Sequence, residues 1–331
     1  MGLLSFFGLR RRDEWERPTI LDRALDSPLK WLVLRIYGII LFLRGRPFRS
    51  PHATASPIKV VCLSDTHGNI VPTVPDGDLL VHCGDLTNDG SLDAIQAQLD
   101  WLGGLPHAHK VLVCGNHDNW FDPSARSRSD RESGGGRRPD FKGIHYLENE
   151  MVTLEFNGGR RLNVFGSPAV PRCGDESNAF QYDRQTHPWK DRIPDETDVL
   201  VTHTPPRYHL DLGGIGCAGL LEEVWRVKPK LHIFGHVHWG AGRQSVFYDE
   251  CQRAYETLMA RRWKGPVRDL FPSPAWLDAF NVIWYGLNAI LFKWIMLGPG
   301  SNNGGLMVNA AVMRGNTGKV RRRHPITVVE L

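Results

Sequence analysis

The sequence has no strong excess of charge of either sign. It carries 40 Lys and Arg residues against 36 Asp and Glu residues, which gives a formal net charge of +4 over 331 residues. The basic clusters lie near the two ends, at Arg10 to Arg12 and at Arg321 to Arg323. A nucleic-acid backbone is held by concentrated positive charge, and the middle of the chain shows no such patch. We therefore expect no nucleic-acid partner.

The N-terminus lacks the features of a secretory signal, because its apolar run is too short and charged residues follow the run instead of preceding it. It also lacks the myristoylation pattern, since position 6 is Phe6 and not Ser or Thr. Cysteine is sparse, and Cys62, Cys83 and Cys114 each end an apolar run where a strand core is expected. Buried thiols are typical of a reducing compartment. We predict a cytoplasmic protein.

Short apolar runs alternate with polar stretches that are compatible with helices. This alternation predicts sheets covered by helices, an α/β fold. Two strand-like runs around Asn157, Gly158 and Gly159 predict an antiparallel hairpin, so the sheets are expected to be mixed. No internal repeat is visible. The predicted strands are residues 58 to 63, 79 to 83, 110 to 114, 162 to 166, 199 to 202, 231 to 234 and 307 to 311.

Residue types that bind metals follow five of these strands. The carboxyl ends of neighbouring strands in an open α/β sheet converge on one crevice, so side chains far apart in sequence are expected to meet there. Taken singly, an aspartate that follows a strand is commonly a turn or helix-cap residue. A histidine inside a strand, such as His82 or His232, needs only a hydrogen-bond partner. Together they predict a metal site formed by Asp65, His67, Asp85, Asn116, His203, His236 and His238, with His117 beside it.

The ligand types indicate which metals this site takes. A mixture of imidazoles, carboxylates and an amide suits Mn, Fe, Zn or Ni better than Ca or Mg, which favour all-oxygen sites. Seven ligands exceed what one such ion takes, so two ions that share a carboxylate, about 3.5 to 4 Å apart, fit the number better. Two divalent ions lower the pKa of a shared water and hold phosphoryl oxygens for in-line attack. The expected cofactor is a pair of divalent ions, whose identity the sequence leaves open.

These residues carry a resemblance to a known superfamily. The phrases "SDTHG", "GDLT", "GNHD", "THTPP" and "FGHVHWGAGR" resemble the calcineurin-like metallophosphoesterases, most of all the metallophosphoesterase-domain-containing, phosphodiesterase-like branch. The resemblance covers about residues 58 to 246 and 304 to 312. It implies two mixed β-sheets sandwiched between helices. It also implies a first metal site of Asp65, His67, Asp85 and His238, and a second of Asp85, Asn116, His203 and His236.

The resemblance further implies that His117 is the general acid that protonates the leaving group. Where the protein-phosphatase branch has a second acid and a phosphate-binding arginine, this chain has Asn88 and Asp89. Asp89 or Asp118 is a candidate acidic partner for His117, although both also fit ordinary turns. The missing arginine favours diesters, such as a cyclic nucleotide or another small diester, over phosphoproteins. Arg207 is the candidate for holding phosphate, unless it is a solvated surface residue.

Three alternatives to a phosphodiesterase stay open. A phosphomonoesterase would use the same metals. A nuclease of the same superfamily would want a basic groove with aromatic stacking positions, which is not seen. A catalytically weak metal-binding scaffold would usually have lost a ligand, whereas this chain keeps all seven positions.

The chain is expected to divide at about residue 55. Residues 1 to 55 form an N-terminal basic and apolar extension, and residues 56 to 331 form the metallophosphoesterase domain. That domain carries an apolar insert at about residues 249 to 300. The polar, Gly-rich residues 126 to 140 are predicted to be a mobile surface loop.

Two apolar segments, residues 31 to 43 and 275 to 297, are interpreted either as core helices or as a peripheral membrane anchor. The first is too short to cross a hydrocarbon layer of about 30 Å. The second lies between two strands that are expected to be neighbours, so a single crossing of the membrane would leave those strands on opposite sides. Topology predicts that both segments leave the domain from the edge remote from the metals. Basic residues flank both segments and favour contact with the cytosolic face of a membrane. Arg44, Arg46 and Arg49 follow the first segment, and Arg261, Arg262, Lys264 and Arg268 precede the second. The sequence makes no prediction of oligomeric state.

Overall fold

The computed structural model describes the greater part of the chain. Among the residues named above, Phe6, Arg12, Arg49, Lys264, Arg322 and Arg323 lie outside its described residues. So do several residues at the end of the second apolar segment. The described residues are 5, 8–11, 13–48, 57–133, 137–262, 265–292, 295, 304–315, 317–321 and 326–331.

Strands and helices alternate along the chain, as the sequence predicts. The strands are β1 Lys59–Leu63, β2 Leu79–Cys83, β3 His109–Val113, β4 His145–Tyr146, β5 Glu150–Phe156, β6 Arg160–Ser167, β7 Val170–Pro171, β8 Gln181–Tyr182, β9 Val199–Thr202, β10 Leu231–Phe234, β11 Gly242–Val246, β12 Gly305–Asn309 and β13 Thr327–Glu330. The helices are α1 Ile20–Asp26, α2 Pro28–Arg44, α3 Leu92–Gly103, α4 Arg128–Ser133, α5 Ala218–Val227, α6 Glu250–Ala260, α7 Pro266–Asp269 and α8 Pro274–Phe292.

Two mixed sheets form the frame. The first has the order β13-β1-β2-β3-β4, in which β1 to β4 are parallel and β13 pairs antiparallel with β1. The second has the order β11-β12-β10-β9-β6-β5, with antiparallel pairs at its two edges and parallel strands between them. The hairpin predicted around Asn157 to Gly159 is confirmed as the β5–β6 pair, with Gly158 and Gly159 at positive φ in the turn.

The sheets pack face to face, and helices cover their outer faces. Val60, Val81 and Val111 of the first sheet share one buried cluster with Val164 and Ile233 of the second. Alternate side chains of the same strands point outward, because side chains in a strand alternate between its two faces. On the first sheet they pack against α3, and on the second they pack against α5. The four-layer fold predicted from the sequence is therefore confirmed.

The two apolar segments form α2 and α8, which pack on each other and on α6. α2 begins after Ser27, whose side chain accepts from Lys30 N, and ends at Gly45, which has a φ of 70°. Inward-facing residues of all three helices, including Val33, Tyr255 and Val282, form one buried cluster. The interpretation as core helices is therefore right for one face of each helix, while the other faces are exposed.

The prediction that both segments leave from the edge remote from the metals is right for the end of α2. Gly304 N, at the start of β12, donates to Pro47 O at 3.1 Å. For the residues that precede α2 the sequence makes no prediction of position. A helix of 17 residues spans about 25 Å, so α2 runs back along the domain and places Trp15 beside His236.

The expectation that Arg44 faces lipid headgroups is also wrong. Its guanidinium is buried, lies 2.6 Å from a carboxylate oxygen of Asp249, and covers the ring of Phe247. Arg261 pairs with Asp278. Among the described residues of these flanks, the exposed cations are Arg46, Arg262 and Arg268.

Within the predicted surface loop, residues 126 to 140, the structure has the short helix α4, in which Arg128, Arg131 and Glu132 are exposed. The loop's mobility stays a prediction.

Candidate metal centre

The carboxyl ends of five parallel strands bring the metal-ligand side chains together. Asp65 and His67 follow β1, Asp85 follows β2, and Asn116 follows β3, all in the first sheet. In the second sheet, His203 follows β9, and His236 and His238 follow β10. The structure gathers these side chains into two groups, in each of which the ligand atoms lie within 4.8 Å of one another. The groups are Asp65, His67, Asp85 and His238, and Asp85, His203 and His236.

The first group is compact. His238 Nε2 lies 3.2 Å from Asp65 Oδ1 and 3.2 Å from His67 Nε2. His67 Nε2 in turn lies 3.5 Å from Asp85 Oδ2. The group matches the first site implied by the resemblance.

The second group forms around His203, whose side chain is fully buried. His203 Nε2 lies 3.0 Å from Asn116 Oδ1 and 3.4 Å from Asp85 Oδ1. The ring of His236 lies 4.9 Å from that of His203, centroid to centroid. Asp85 therefore directs one carboxylate oxygen toward each group, as a carboxylate shared by two ions would.

The hydrogen bonds of two histidines test whether these residues fit metal ions. His203 Nδ1 donates to Cys83 O at 2.7 Å, and His238 Nδ1 donates to Gly315 O at 2.9 Å. The neutral ring is the form that binds a metal, and in that form each Nε2 is an acceptor that faces carboxylate or amide oxygens, which also accept. A convergence of acceptors is what a cation satisfies, and a carbonyl that orients the second nitrogen is typical of metal-bound histidine. The residues fit a pair of divalent ions.

The backbone at the site adopts strained conformations. Asp65, His67, Asp85 and His236 all have positive φ values, between 47° and 64°. Non-glycine residues rarely occupy this region, and such strain concentrates at functional sites. Backbone hydrogen bonds between the loops hold it, since Asp65 N donates to Gly84 O and His67 N donates to Asp85 O.

Glycines allow the loops to approach closely. A Cβ atom on Gly235 would overlap Ser64 Oγ and Asp65 Oδ2, and one on Gly115 would overlap Asp85 Oδ1. The residues before His236 and Asn116 must therefore be glycine for the carboxylates to keep their positions.

The charges of the site act on one another strongly. Burial raises the pKa of Asp65, but the hydrogen bond and charge of His238 and the charge of His203 outweigh it and lower that pKa to about 2. Burial likewise opposes ionisation of Asp85, and the neighbouring histidines reverse this effect, so its pKa is lowered. Burial lowers the pKa of His203, but Asp85 and Asp65 raise it to about 9. Burial and the charge of His203 lower the pKa of His236 to about 3.

His117 lies at the mouth of the site. Its ring centroid is 5.1 Å from that of His67, and its backbone N donates to Asp85 Oδ1 at 2.9 Å. Its Nδ1 donates to the backbone carbonyl of Asn88 at 3.2 Å. The partner that orients this imidazole is thus a carbonyl and not a side-chain carboxylate.

The two aspartates considered as acidic partners of His117 have other roles. Asp89 accepts from the backbone N and the hydroxyl of Ser91, so it is a turn residue ahead of α3. Asp118 is buried and accepts backbone N–H groups of Leu86, Thr87 and Gly115, which ties the loops after β2 and β3 together. Burial and the charge of Asp85 raise the pKa of Asp118 to about 7.

Arg207 lies apart from the two groups of ligands. Its Nε donates to Gly214 O at 3.1 Å, and its guanidinium lies 5.1 Å from the ring centroid of Tyr208. It lines a separate cavity beside the site.

Sequence reasoning missed two residues that contact the ligands. Gly315 supplies the carbonyl that holds His238, and it lies 77 positions further along the chain. The ring of Trp15 lies 5.1 Å from that of His236, edge to face at 84°. No motif precedes Trp15 that would have signalled this contact.

The comparison with protein families decides the identity of this centre. The family model described as calcineurin-like phosphoesterase matches residues 58–240, which include all seven ligand positions. The chain belongs to this family. Phosphoesterases of this family use a dinuclear divalent metal site, and the Asp and His groups described above are able to hold such ions. The resemblance read from the sequence is confirmed.

Curated relatives extend the likeness. The chain is 36% identical over 316 residues to "Probable rhamnogalacturonate lyase C" of Emericella nidulans, a match that covers 95% of this chain but only 28% of that protein. It is 37% identical over 199 residues to "UPF0046 protein K07C11.7" of Caenorhabditis elegans, covering 57% of this chain and 67% of the relative. It is 33% identical over 218 residues to human "Metallophosphoesterase domain-containing protein 1", covering 58% and 65%.

A crystal structure of a Thermus thermophilus protein is also similar. It has a TM-score of 0.40 and 17% sequence identity, and the match covers 58% of this chain and 86% of that one.

Proposed function

We propose that this phosphoesterase hydrolyses phosphodiesters at a dinuclear centre, with His117 as the general acid. The observation that supports it best is Asp85, which directs one carboxylate oxygen toward His67 and the other toward His203. The ligands of the two ions would be Asp65, His67, Asp85 and His238 for one, and Asp85, Asn116, His203 and His236 for the other. When bound, the ions supply a deprotonated water and hold the phosphoryl oxygens.

The chain's own residues position the proton that the leaving group needs. Because Nδ1 of His117 donates to Asn88 O, its Nε2 is the nitrogen that gives a proton to the leaving oxygen. The ring stands beside His67, at the edge of the first group of ligands. Asn88 keeps its carbonyl in place through its side-chain amide, which donates to His67 O at 3.1 Å.

The environment of His117 supports diesters over phosphoproteins. Asn88 and Asp89 stand where the protein-phosphatase branch has an acid and an arginine, and both residues have structural roles here. A diester carries one negative charge where a monoester carries up to two, so it needs less cationic help beyond the metals.

A substrate panel tests this proposal. Bis-para-nitrophenyl phosphate, para-nitrophenyl phosphate and 2′,3′-cyclic nucleotides are compared with Mn²⁺ added. We expect turnover of the diesters to exceed that of the monoester. Turnover of the monoester alone would make the protein a phosphomonoesterase, and full metal loading without turnover would make it a metal-binding scaffold.

We further propose that the protein is peripheral on the cytosolic face of a membrane. Of the described residues, α8 is the one helix long and apolar enough to cross a membrane by length and composition. It lies between β11 and β12, which pair antiparallel, so a single crossing would separate paired strands. Exposed apolar side chains instead line one side of this helix, at Trp276, Leu277, Phe280, Trp284, Leu287 and Leu291. Phe42 and Leu43 of α2, the helix that packs on α8, are exposed too, and exposed Arg46, Arg262 and Arg268 lie in the adjoining segments.

Flotation with vesicles of phosphatidylcholine and phosphatidylserine tests this attachment. The full chain is expected to float, and a variant with Phe280, Trp284 and Leu287 changed to Ser is expected to stay in the soluble fraction with its fold intact by circular dichroism. A wild-type protein that stays soluble would contradict the proposal.

A further inference from the structure

A cavity of about 1690 Å³ lies beside the metal centre, and no metal ligand lines it. Its walls come from the N-terminal extension, from α2, from the loop that follows β9 and from the segment around β11. The size is well above that of a site for a small anion and suits a large ligand.

One wall of the cavity is apolar. Trp31, Leu34, Gly38 and Leu41 line it, and their spacing of three and four residues puts them on one face of α2. Phe42, also in the lining, is 82% exposed, so the cavity is open at this end of the apolar wall. An acyl chain fits such a wall, since its burial is favoured by about 0.8 kcal/mol per CH₂ group.

The rest of the cavity is cationic. Ten Lys or Arg side chains line it against five Asp or Glu side chains, a larger excess than that of the whole chain. Arg207 and Arg243 lie on the side nearer the metal centre, in the segments that follow His203 and His238. Such a lining attracts an anionic ligand.

The cavity is lined by residues that adjoin the metal centre in the chain. Trp239, which lines it, directly follows His238 in the chain. Glu14, also in the lining, directly precedes Trp15, whose ring contacts His236. The lining thus runs from the apolar side of α2 past arginines to the chain neighbours of His238 and Trp15.

We propose that this cavity binds a membrane phospholipid, with an acyl chain along α2 and the phosphodiester turned toward the metal ligands. The inference rests on the proposed phosphodiesterase function and names its substrate class. Hydrolysis would add the hydroxyl of a water to phosphorus and break one phosphorus–oxygen ester bond. The second proton of the water would go to the leaving alkoxide, giving an alcohol and a phosphomonoester.

Gly38 offers a way to block the cavity. A Cβ at this position meets no atom within 4 Å, and replacing a glycine within a helix removes a conformational cost. Gly38→Trp should therefore block the apolar wall of the cavity without disturbing α2. Ile39→Trp is the matched control, because it adds the same ring at the next, exposed position, outside the cavity lining.

The first experiment measures binding of dihexanoyl-phosphatidylglycerol to the metal-free protein by calorimetry, with glycerophosphoglycerol as the ligand without acyl chains. We expect wild type and Ile39→Trp to bind the lipid at least tenfold more tightly than the chainless diester. Gly38→Trp should lose this preference while keeping wild-type metal stoichiometry and thermal midpoint. Equal affinity for both ligands in wild type, or unchanged lipid binding in Gly38→Trp, would overturn the proposal.

The second experiment separates this inference from the function on which it rests. Wild-type protein with Mn²⁺ is given the lipid and, separately, bis-para-nitrophenyl phosphate. Hydrolysis of both supports the lipid as substrate. Hydrolysis of the soluble diester alone refutes the lipid inference and leaves the phosphodiesterase standing. Hydrolysis of neither refutes the phosphodiesterase, and with it the lipid as substrate.

Discussion

At the residue scale, the two carboxylate oxygens of Asp85 point to different groups of ligands. Oδ1 accepts from His117 N and faces His203, whereas Oδ2 faces His67. The convergence of the seven predicted ligand side chains was predictable because each follows the end of a strand in a recognisable phrase, and their role as ligands stays a prediction. The contacts made by the carbonyl of Gly315 and the ring of Trp15 were not predictable. Every residue has a backbone carbonyl, and a single tryptophan has many roles.

His117→Gln is expected to lower the turnover of a dialkyl phosphate by about 10²- to 10⁴-fold, the usual contribution of a general acid. The loss should be smaller with bis-para-nitrophenyl phosphate, because para-nitrophenolate leaves without a proton. Kinetics on both substrates, beside elemental analysis, checks this. An equal loss on both substrates, or a loss of metal, would show that His117 does not act as the acid.

At the scale of elements, the seven predicted strands lie within two residues of their observed bounds. The bounds of these strands were predictable because each strand is an apolar run that ends at turn residues. The last strand, β13, was not predicted, because the partner that pairs with Thr327–Glu330 is β1, more than 260 residues earlier. The two-residue strands β4, β7 and β8 are too short to leave a pattern.

Two buried strand histidines should make stability depend on pH. Burial lowers the pKa of His82 to about 4 and that of His232 to about 3, against 6.5 for the free side chain. Between pH 6.5 and these lowered pKa values, the two histidines are protonated in the unfolded chain and neutral in the folded chain. Each histidine therefore stabilises the fold fully above pH 6.5 and loses about 2 kcal/mol of that contribution by pH 5.

Urea unfolding at pH 7 and pH 5 measures this effect. His82→Gln is expected to reduce the difference between the two pH values by about 2 kcal/mol. His145→Gln, at an exposed position, is the control and should leave the difference as in wild type. A difference unchanged in His82→Gln would contradict the assignment.

At the scale of the whole molecule, the metal centre depends on both sheets and on the N-terminal extension. The first sheet supplies Asp65, His67, Asp85 and Asn116, and the second supplies the three remaining histidines. The extension reaches the centre through Trp15, whose ring lies 5.1 Å from that of His236. Its packing was not predictable from sequence, since an apolar helix fits a core and a membrane surface equally well.

The central claim is that this phosphoesterase holds two ions bridged by Asp85. Anomalous diffraction at the manganese edge, from crystals grown with Mn²⁺, tests it most directly. The account predicts two peaks about 3.5 to 4 Å apart, both in contact with Asp85. One peak should lie among Asp65, His67 and His238, and the other among Asn116, His203 and His236. A single fully occupied peak, or peaks that do not contact Asp85, would contradict the account.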